Sequence, residues 1–238
     1  MFGQQKDLSY ATVFFTNKSI KVYFCCMHLL LCSATEFEIS PLMKVISKYK
    51  GLEILITGVG LTAATFAITK KVLEKKPGLI IQAGVAGNLD QSMGLTKVVW
   101  VKTETIGDLG VEENGRFHSL SDLDLQDKNQ FPWKNGVLYN ERQIEEQAIP
   151  AVHGVTVNEI STDQDRINYY RDVLGAQIET MEGAALHYVA LMENIPFLQL
   201  RSLSNFVAQR DKSKWMMKEA IERLNTELER ILDKYLNQ

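Results

Sequence analysis

Residues 79–87 read Leu79-Ile80-Ile81-Gln82-Ala83-Gly84-Val85-Ala86-Gly87. Three β-prone aliphatic residues pass directly into a string of small ones. An apolar run this short, bounded by the turn signal Pro77-Gly78, has the signature of a buried strand. The same design occurs twice upstream. Leu29 to Cys32 leads into Ser33-Ala34-Thr35, and Ile54-Leu55-Ile56 leads into Gly58-Val59-Gly60. Helical spacing fills the intervals: Ile39, Leu42, Met43 and Ile46 after the first run, Leu61 to Leu73 after the second. Strand–helix alternation predicts an α/β fold, three layers αβα around a central mixed, largely parallel sheet. Ligands of such sheets sit at the carboxyl ends of the strands. Small residues at those ends leave room for a ligand and let backbone N–H groups approach it.

The alternation continues downstream. Lys97 to Lys102 reads as a fourth strand, Ile149 to Val157 as another, and Phe197 to Leu203 as the last. Asp163 to Val173 and Glu182 to Met192 read as helices. Ile221, Leu224, Leu228, Ile231 and Tyr235 recur at spacings of three or four and predict a C-terminal amphipathic helix. Residues 106–136 are polar and irregular, a loop long enough to be functional or mobile. Residues 1–26 stand apart. Their basic start is one Lys beside an Asp, and Thr16-Asn17-Lys18-Ser19 interrupts the apolar run, so they do not read as a secretory signal. They are expected to be an N-terminal appendage outside a functional domain spanning 27–238.

Composition narrows the partners. The 238 residues are 45% hydrophobic and 23% charged, with a net charge of −3. That balance gives no electrostatic reason to expect nucleic acid or an anionic membrane as partner. No stretch approaches the ~18 unbroken apolar residues of a membrane span. The cysteines Cys25, Cys26 and Cys32 form no disulfide framework, which points to a reducing cytoplasm. Together with His28 they fit no common zinc spacing, so no metal site is expected. Gly58-Val59-Gly60-Leu61-Thr62-Ala63 matches a loose dinucleotide fingerprint. The next strand, however, ends at Gln82-Ala83-Gly84 without the acid that the fingerprint needs, so no nicotinamide or flavin cofactor is expected.

Three polar residues stand against apolar or small neighbours: Glu38, Glu182 and Asn205. Singly, each has an ordinary reading as a surface carboxylate, an acidic helix start or a turn residue. Together they occur in an ordered set: Ala34-Thr35-Glu36-Phe37-Glu38, Gly58-Val59-Gly60, Gln82 to Gly87, Met181-Glu182-Gly183-Ala184-Ala185 and Arg201 to Asn205. This set resembles the nucleoside phosphorylase and nucleosidase superfamily, which includes methylthioadenosine/S-adenosylhomocysteine nucleosidase. The resemblance runs from Met27 to the C-terminus. It is closer still to the futalosine hydrolase family, through Glu104-Thr105-Ile106-Gly107-Asp108-Leu109-Gly110-Val111-Glu112 and through Ser204-Asn205-Phe206 with Arg210-Asp211 and Trp215.

The resemblance implies a nucleoside phosphorylase-like fold and hydrolysis of the N-glycosidic bond of a purine nucleoside. It implies futalosine as substrate, cleaved to hypoxanthine and dehypoxanthine futalosine in menaquinone biosynthesis. Glu38 matches the carboxylate that orients and deprotonates water. Glu182 matches the carboxylate that binds the ribose 2′- and 3′-hydroxyls. Met181 would pack against the sugar, Val59 and the Val85-Ala86-Gly87 backbone would line the pocket, and Ser204 would stand at the substrate beside Asn205. Adenine-cleaving relatives carry Asp where Asn205 stands. An Asn cannot readily protonate N7 but can donate to O6, which favours a 6-oxopurine. Superfamily phosphorylases hold phosphate with arginines largely from the N-terminal half, whereas here the first is Arg116, so water is the expected acceptor. No cofactor is implied, and a homo-oligomer is. The alternatives are a methylthioadenosine-type nucleosidase, a purine nucleoside phosphorylase, or a nucleoside-binding protein without catalysis.

Overall fold

The computed structural model describes residues 28–141, 149–208 and 211–237. The appendage expected at 1–26, Cys25, Cys26 and Arg210 lie outside the described residues. In chain order the strands are β1 (Leu29–Ser33), β2 (Leu52–Ile56), β3 (Leu79–Asn88), β4 (Val98–Ile106), β5 (Gly110–Glu113), β6 (Arg116–Ser119), β7 (Leu138–Tyr139), β8 (Ala151–Thr156), β9 (Ile178–Thr180) and β10 (Phe197–Phe206). The helices are α1 (Ser40–Met43), α2 (Leu61–Glu74), α3 (Gln164–Asn168), α4 (Gly183–Met192) and α5 (Met217–Leu236).

Eight strands form one mixed sheet in the order β10-β4-β8-β9-β3-β1-β2, with β7 on β4 and a further pairing of β10 with β3. The expected three layers are present. On one face Leu29, Leu31, Ile81 and Leu200 pack against Leu224, Leu228, Ile231 and Leu232 of α5. On the other, Leu30, Cys32 and Ile80 pack against Ile68 and Val72 of α2 and Leu186 and Val189 of α4. The two lists alternate along β1 because successive side chains of a strand point to opposite faces. Burying one such aliphatic side chain stabilises the fold by about 1.5–3 kcal/mol.

The position of the site follows from how β3 is shared. Its lower half pairs with β1 in parallel, ending at Cys32 beside Gln82. Its last residues, Gly87 and Asn88, pair with β9 instead, antiparallel. Along its other edge it pairs with β10 over nearly its whole length. Between the end of β1 and the start of β9, the β3 edge from Ala83 to Ala86 is left without a strand neighbour in these ladders. The small residues seen in the sequence line this fork.

Several elements depart from the sequence reading. β3 does not end at Gln82 but continues to Asn88, and β10 runs through Asn205 instead of stopping before it. The single helix expected after β1 is instead three short turns, with 3₁₀ turns at Glu36–Ile39 and Ile46–Lys48 on either side of α1. Pro41 in this stretch supplies no N–H, so a continuous helix cannot be built through it from upstream. Residues 106–136 contain a hairpin, β5 paired with β6. The helix expected over Asp163–Val173 is α3 followed by a widened π turn, Tyr169–Val173. His28 lies one residue outside β1, where its Nε2 meets Glu53 at 2.6 Å. Among the described residues, no helix is long and apolar enough to cross a membrane.

Candidate active site

Glu38 is placed by its own turn. Thr35 and Glu38 form a capping box, the arrangement in which a Thr and a Glu three residues on satisfy each other's backbone. Thr35 N–H donates to Glu38 Oε2 at 3.1 Å, Thr35 Oγ1 at 3.0 Å and Ser33 Oγ at 3.3 Å. The other oxygen, Oε1, reaches into the fork and accepts the N–H of Val85 at 3.0 Å. A side chain thus takes the ladder position that no strand fills. Asn225 of α5 fixes the turn from behind, donating to the Glu38 carbonyl at 2.9 Å and accepting the N–H of Leu42 at 3.1 Å.

Glu182 stands immediately before α4. Its Oε1 accepts the N–H of Gly60 at 3.0 Å, and its Oε2 lies 3.6 Å from Arg201 Nη1. Gly58 and Gly60 have φ of 80° and 95°, the left-handed region that favours glycine, and this bends the backbone N–H toward the carboxylate. Arg201 is 1% exposed. Its Nε donates to Gln199 Oε1 at 3.0 Å, its Nη2 to Gln82 Oε1 at 3.1 Å and its Nη1 to the Val85 carbonyl at 3.4 Å. One residue therefore joins the two acids, since Val85 gives its N–H to Glu38 and its carbonyl takes a hydrogen bond from the guanidinium beside Glu182. Gly84 is required here: a Cβ on it would lie 2.5 Å from Arg201 Nη1 and 2.8 Å from Glu38 Oε1.

A third carboxylate lies beneath. Glu104 of β4 is fully buried and accepts from Gln199 Nε2 and from Thr156 Oγ1, each at 3.0 Å. Gly154 and Gly183 make room for it, since a Cβ at either would come within 2.6 Å of Glu104 Oε1. Burial pushes its pKa up from 4.5 to about 7, against the Gln199 hydrogen bond and the Arg201 charge, and with a further push from Glu182. A folded pKa above the unfolded one favours the folded state most at low pH. That stability is fully present below pH 4.5 and is lost as pH rises through about 7. In Glu104→Gln the corresponding fall between pH 5 and 8, on the order of 2 kcal/mol, should disappear. Denaturant melts of both proteins at the two pH values test this; equal slopes in the two would contradict it.

The remaining candidates sit further along the fork. Asn205 is half-buried and pairs with Gly87 after a register shift at Ser204. Ser204 Oγ donates to the Ala86 carbonyl at 3.3 Å or Asn205 Oδ1 at 2.9 Å, and Asn205 Nδ2 donates to the Phe206 carbonyl at 3.1 Å. Val85, Ala86 and Gly87 lie on the β3 side. Met181 is half-buried and precedes Glu182, and Val59 is exposed on the glycine turn. The structure thus brings Glu38, Val85 and Glu182 into one cluster, and places Ala86, Gly87, Ser204 and Asn205 beside it.

Sequence reasoning missed Arg201, Gln82, Gln199 and Glu104. A signal existed, because Gln199 and Arg201 alternate with apolar residues inside a strand buried on both faces, where polar side chains are rare. The absence of arginine before Arg116 does not describe this cluster, since Arg201 reaches it from the far end of the chain. Of the two lysines near the end of α2, Lys71 is half-buried and donates to Glu53 at 2.7 Å, while Lys70 is exposed. A separate cavity of about 1020 Å³ lies between residues 105–137 and 159–174, lined among others by Arg116, Phe117, Trp133, Ser161 and Arg166. Glu38, Glu182 and Asn205 do not line it.

Comparison with known proteins gives the family and the fold. The family model described as the phosphorylase superfamily matches residues 43–237. The futalosine hydrolase of Thermus thermophilus is 28% identical over 188 residues, covering 78% of this chain and 83% of that protein. The futalosine hydrolase of Streptomyces coelicolor is 26% identical over 176 residues, covering 72% and 74%. Among solved structures, the native futalosine hydrolase of Helicobacter pylori superposes with a TM-score of 0.74 at 15% identity, covering 88% of this chain and 98% of that one. A 5′-methylthioadenosine/S-adenosylhomocysteine nucleosidase from Colwellia psychrerythraea, in complex with adenine, gives 0.72 at 18% identity, covering 91% and 99%. At these identities the two structures establish the fold and nothing more.

Proposed function

The chain belongs to the phosphorylase superfamily, and on that premise we propose that it hydrolyses the N-glycosidic bond of futalosine, releasing hypoxanthine and dehypoxanthine futalosine for menaquinone biosynthesis. The observation that carries the reading is the pair of carboxylates that follow β1 and β9 and are joined through Val85 and Arg201 at the open edge of β3. Both curated relatives described above are futalosine hydrolases, which supports the choice of substrate.

In this reading Glu38 is the general base. Three donors on Oε2 fix its orientation, and Oε1 at the fork takes the proton of the attacking water. Glu182 accepts the ribose hydroxyls, with Arg201 and the Gly60 N–H holding its carboxylate ready. Met181 packs against the sugar. Positive charge develops on the ribose as the bond to the base stretches, and two nearby carboxylates stabilise it. Asn205 and Ser204 face the departing base, and the Asn amide suits O6 of hypoxanthine.

Water is the acceptor in this reading. The three guanidinium nitrogens of Arg201 are engaged by protein acceptors, so the fork offers no free bidentate donor for phosphate. Phe66 and Leu73, seven residues apart on α2, are both 70% exposed, apolar surface of the kind a second copy covers in a homo-oligomer. Mass spectrometry of products from futalosine, inosine and methylthioadenosine, with and without phosphate, tests the reading. Free hypoxanthine from futalosine at the same rate in both conditions is expected. Strict dependence on phosphate would instead make the protein a phosphorylase.

A further inference from the structure

We infer that Glu104 positions Glu182: two hydrogen-bond chains start on its two carboxylate oxygens and end on either side of that residue. The inference rests on the nucleosidase reading, in which Glu182 binds the ribose hydroxyls, and adds to it a residue that never touches the substrate.

The first chain runs through side chains. Glu104 Oε1 accepts from Gln199 Nε2 at 3.0 Å, Gln199 Oε1 accepts from Arg201 Nε at 3.0 Å, and Arg201 Nη1 lies 3.6 Å from Glu182 Oε2. A guanidinium has only donors, so Gln199 must turn its oxygen toward Arg201 and its NH₂ away. Glu104 is the acceptor that meets that NH₂. The second chain reaches the backbone. Thr156 Oγ1 donates to Glu104 Oε2 at 3.0 Å and accepts the N–H of Ala184 at 2.8 Å. Ala184 stands two residues after Glu182, in the first turn of α4. Gly183, between them, clears the space. A Cβ on it would collide with Glu104 Oε1 and stand 2.6 Å from Gln199 Oε1.

Both chains depend on one proton. Ionised, Glu104 accepts at both ends. A proton on Oε1 would face the Gln199 NH₂, donor against donor, so it goes to Oε2 and reverses the bond to Thr156. The Thr156 hydroxyl already accepts from Ala184, so its hydrogen turns to Thr180 Oγ1, 3.2 Å away. The bond to Gln199 meanwhile loses its charge assistance, and with it about half its strength. Burial puts this protonation at about pH 7, and the charged groups that face Glu104 are Arg201 of β10 and Glu182. Burial also holds the His187 pKa on α4 down to about 3 and lowers that of His153 on β8, so neither ring is charged at pH 7.

Glu104→Gln tests this. Its amide oxygen accepts from Gln199 and its NH₂ donates to Thr156, which is the pattern of protonated Glu104 fixed at every pH. The readout is kcat/KM for futalosine from about pH 5 to 8. On the unaltered enzyme it should rise about 10-fold through pH 7, less than the ~10²-fold that a 1 Å misplacement can cost. The variant should stay at the low-pH level across that step, with any limb that belongs to Glu38 or Glu182 kept in both proteins. A role in stability alone would leave the profile of the folded enzyme unmoved. A second measurement needs no variant: a nucleoside without the 2′-hydroxyl has lost part of its contact with Glu182, so its step should be smaller. If the unaltered enzyme shows no such step, or the variant keeps it or runs flat at the high-pH rate, Glu104 does not position Glu182 although the nucleosidase reading stands. The same holds if the deoxy substrate shows the full step. If the unaltered protein cleaves no purine nucleoside, both fall together.

Discussion

Glu38→Gln should lower kcat by about 10²–10⁴, the usual contribution of a positioned general base, while KM stays within a few-fold. The asymmetry of the carboxylate's surroundings explains why so small a change matters. Oε2 accepts from Thr35 N–H, Thr35 Oγ1 and Ser33 Oγ, so the amide oxygen of the variant takes that place. The NH₂ is then forced toward the Val85 N–H, donor against donor. The variant loses its basic atom at the fork and leaves a backbone N–H without an acceptor, at about 1–3 kcal/mol of stability. Glu38→Asp separates the two effects. It keeps a basic group on a shorter arm, and should recover part of the rate if the proton acceptor is what counts. A kcat unchanged in Glu38→Gln would remove Glu38 from the chemistry, whatever its effect on the melting temperature.

The layers of the fold were legible because they rest on local patterns. Leu29 to Cys32 and Leu79 to Ile81 are apolar on both faces, and only a sheet covered on both sides makes that pattern stable. The amphipathic stripe from Ile221 to Ile231 named α5 and its buried side. What was hidden depends on who stands next to whom. Nothing in Gln82 to Gly87 says that β3 continues through its glycines, since the strand is held there by β10 and β9 from more than 90 positions away. Glycine there looked like a strand end, while in the fold it clears space for Arg201, Glu38 and Val207. Glu38 and Glu182 could be picked out as candidates, but their link could not, because Arg201 and the Val85 peptide come together only across the β3–β10 ladder.

Glu182→Ala should abolish most activity and also destabilise the protein, and the two losses have separable causes. Arg201 is buried, and the Glu182 carboxylate 3.6 Å away is its ion-pair partner. Removing one partner of a buried pair costs about 3–5 kcal/mol, because the remaining charge stays out of water uncompensated. The value here belongs at the lower end, since Gln82, Gln199 and the Val85 carbonyl still accept from the guanidinium. Replacing both residues, as Glu182→Ala with Arg201→Met, removes the orphaned charge but leaves Gln82 Oε1, Gln199 Oε1 and the Val85 carbonyl without their donor, so denaturant melts should show at most a part of the stability restored. Activity should not return, because the ribose hydroxyls still lack their acceptor. A substrate without the 2′-hydroxyl decides whether that is the reason. It should be poor on the unaltered enzyme and no worse than the parent nucleoside on Glu182→Ala, the non-additivity expected of two groups that touch. If instead the deoxy substrate loses the same factor on both proteins, Glu182 does not hold the sugar. The Arg201–Glu182 pair would then serve the β3–β10 ladder alone.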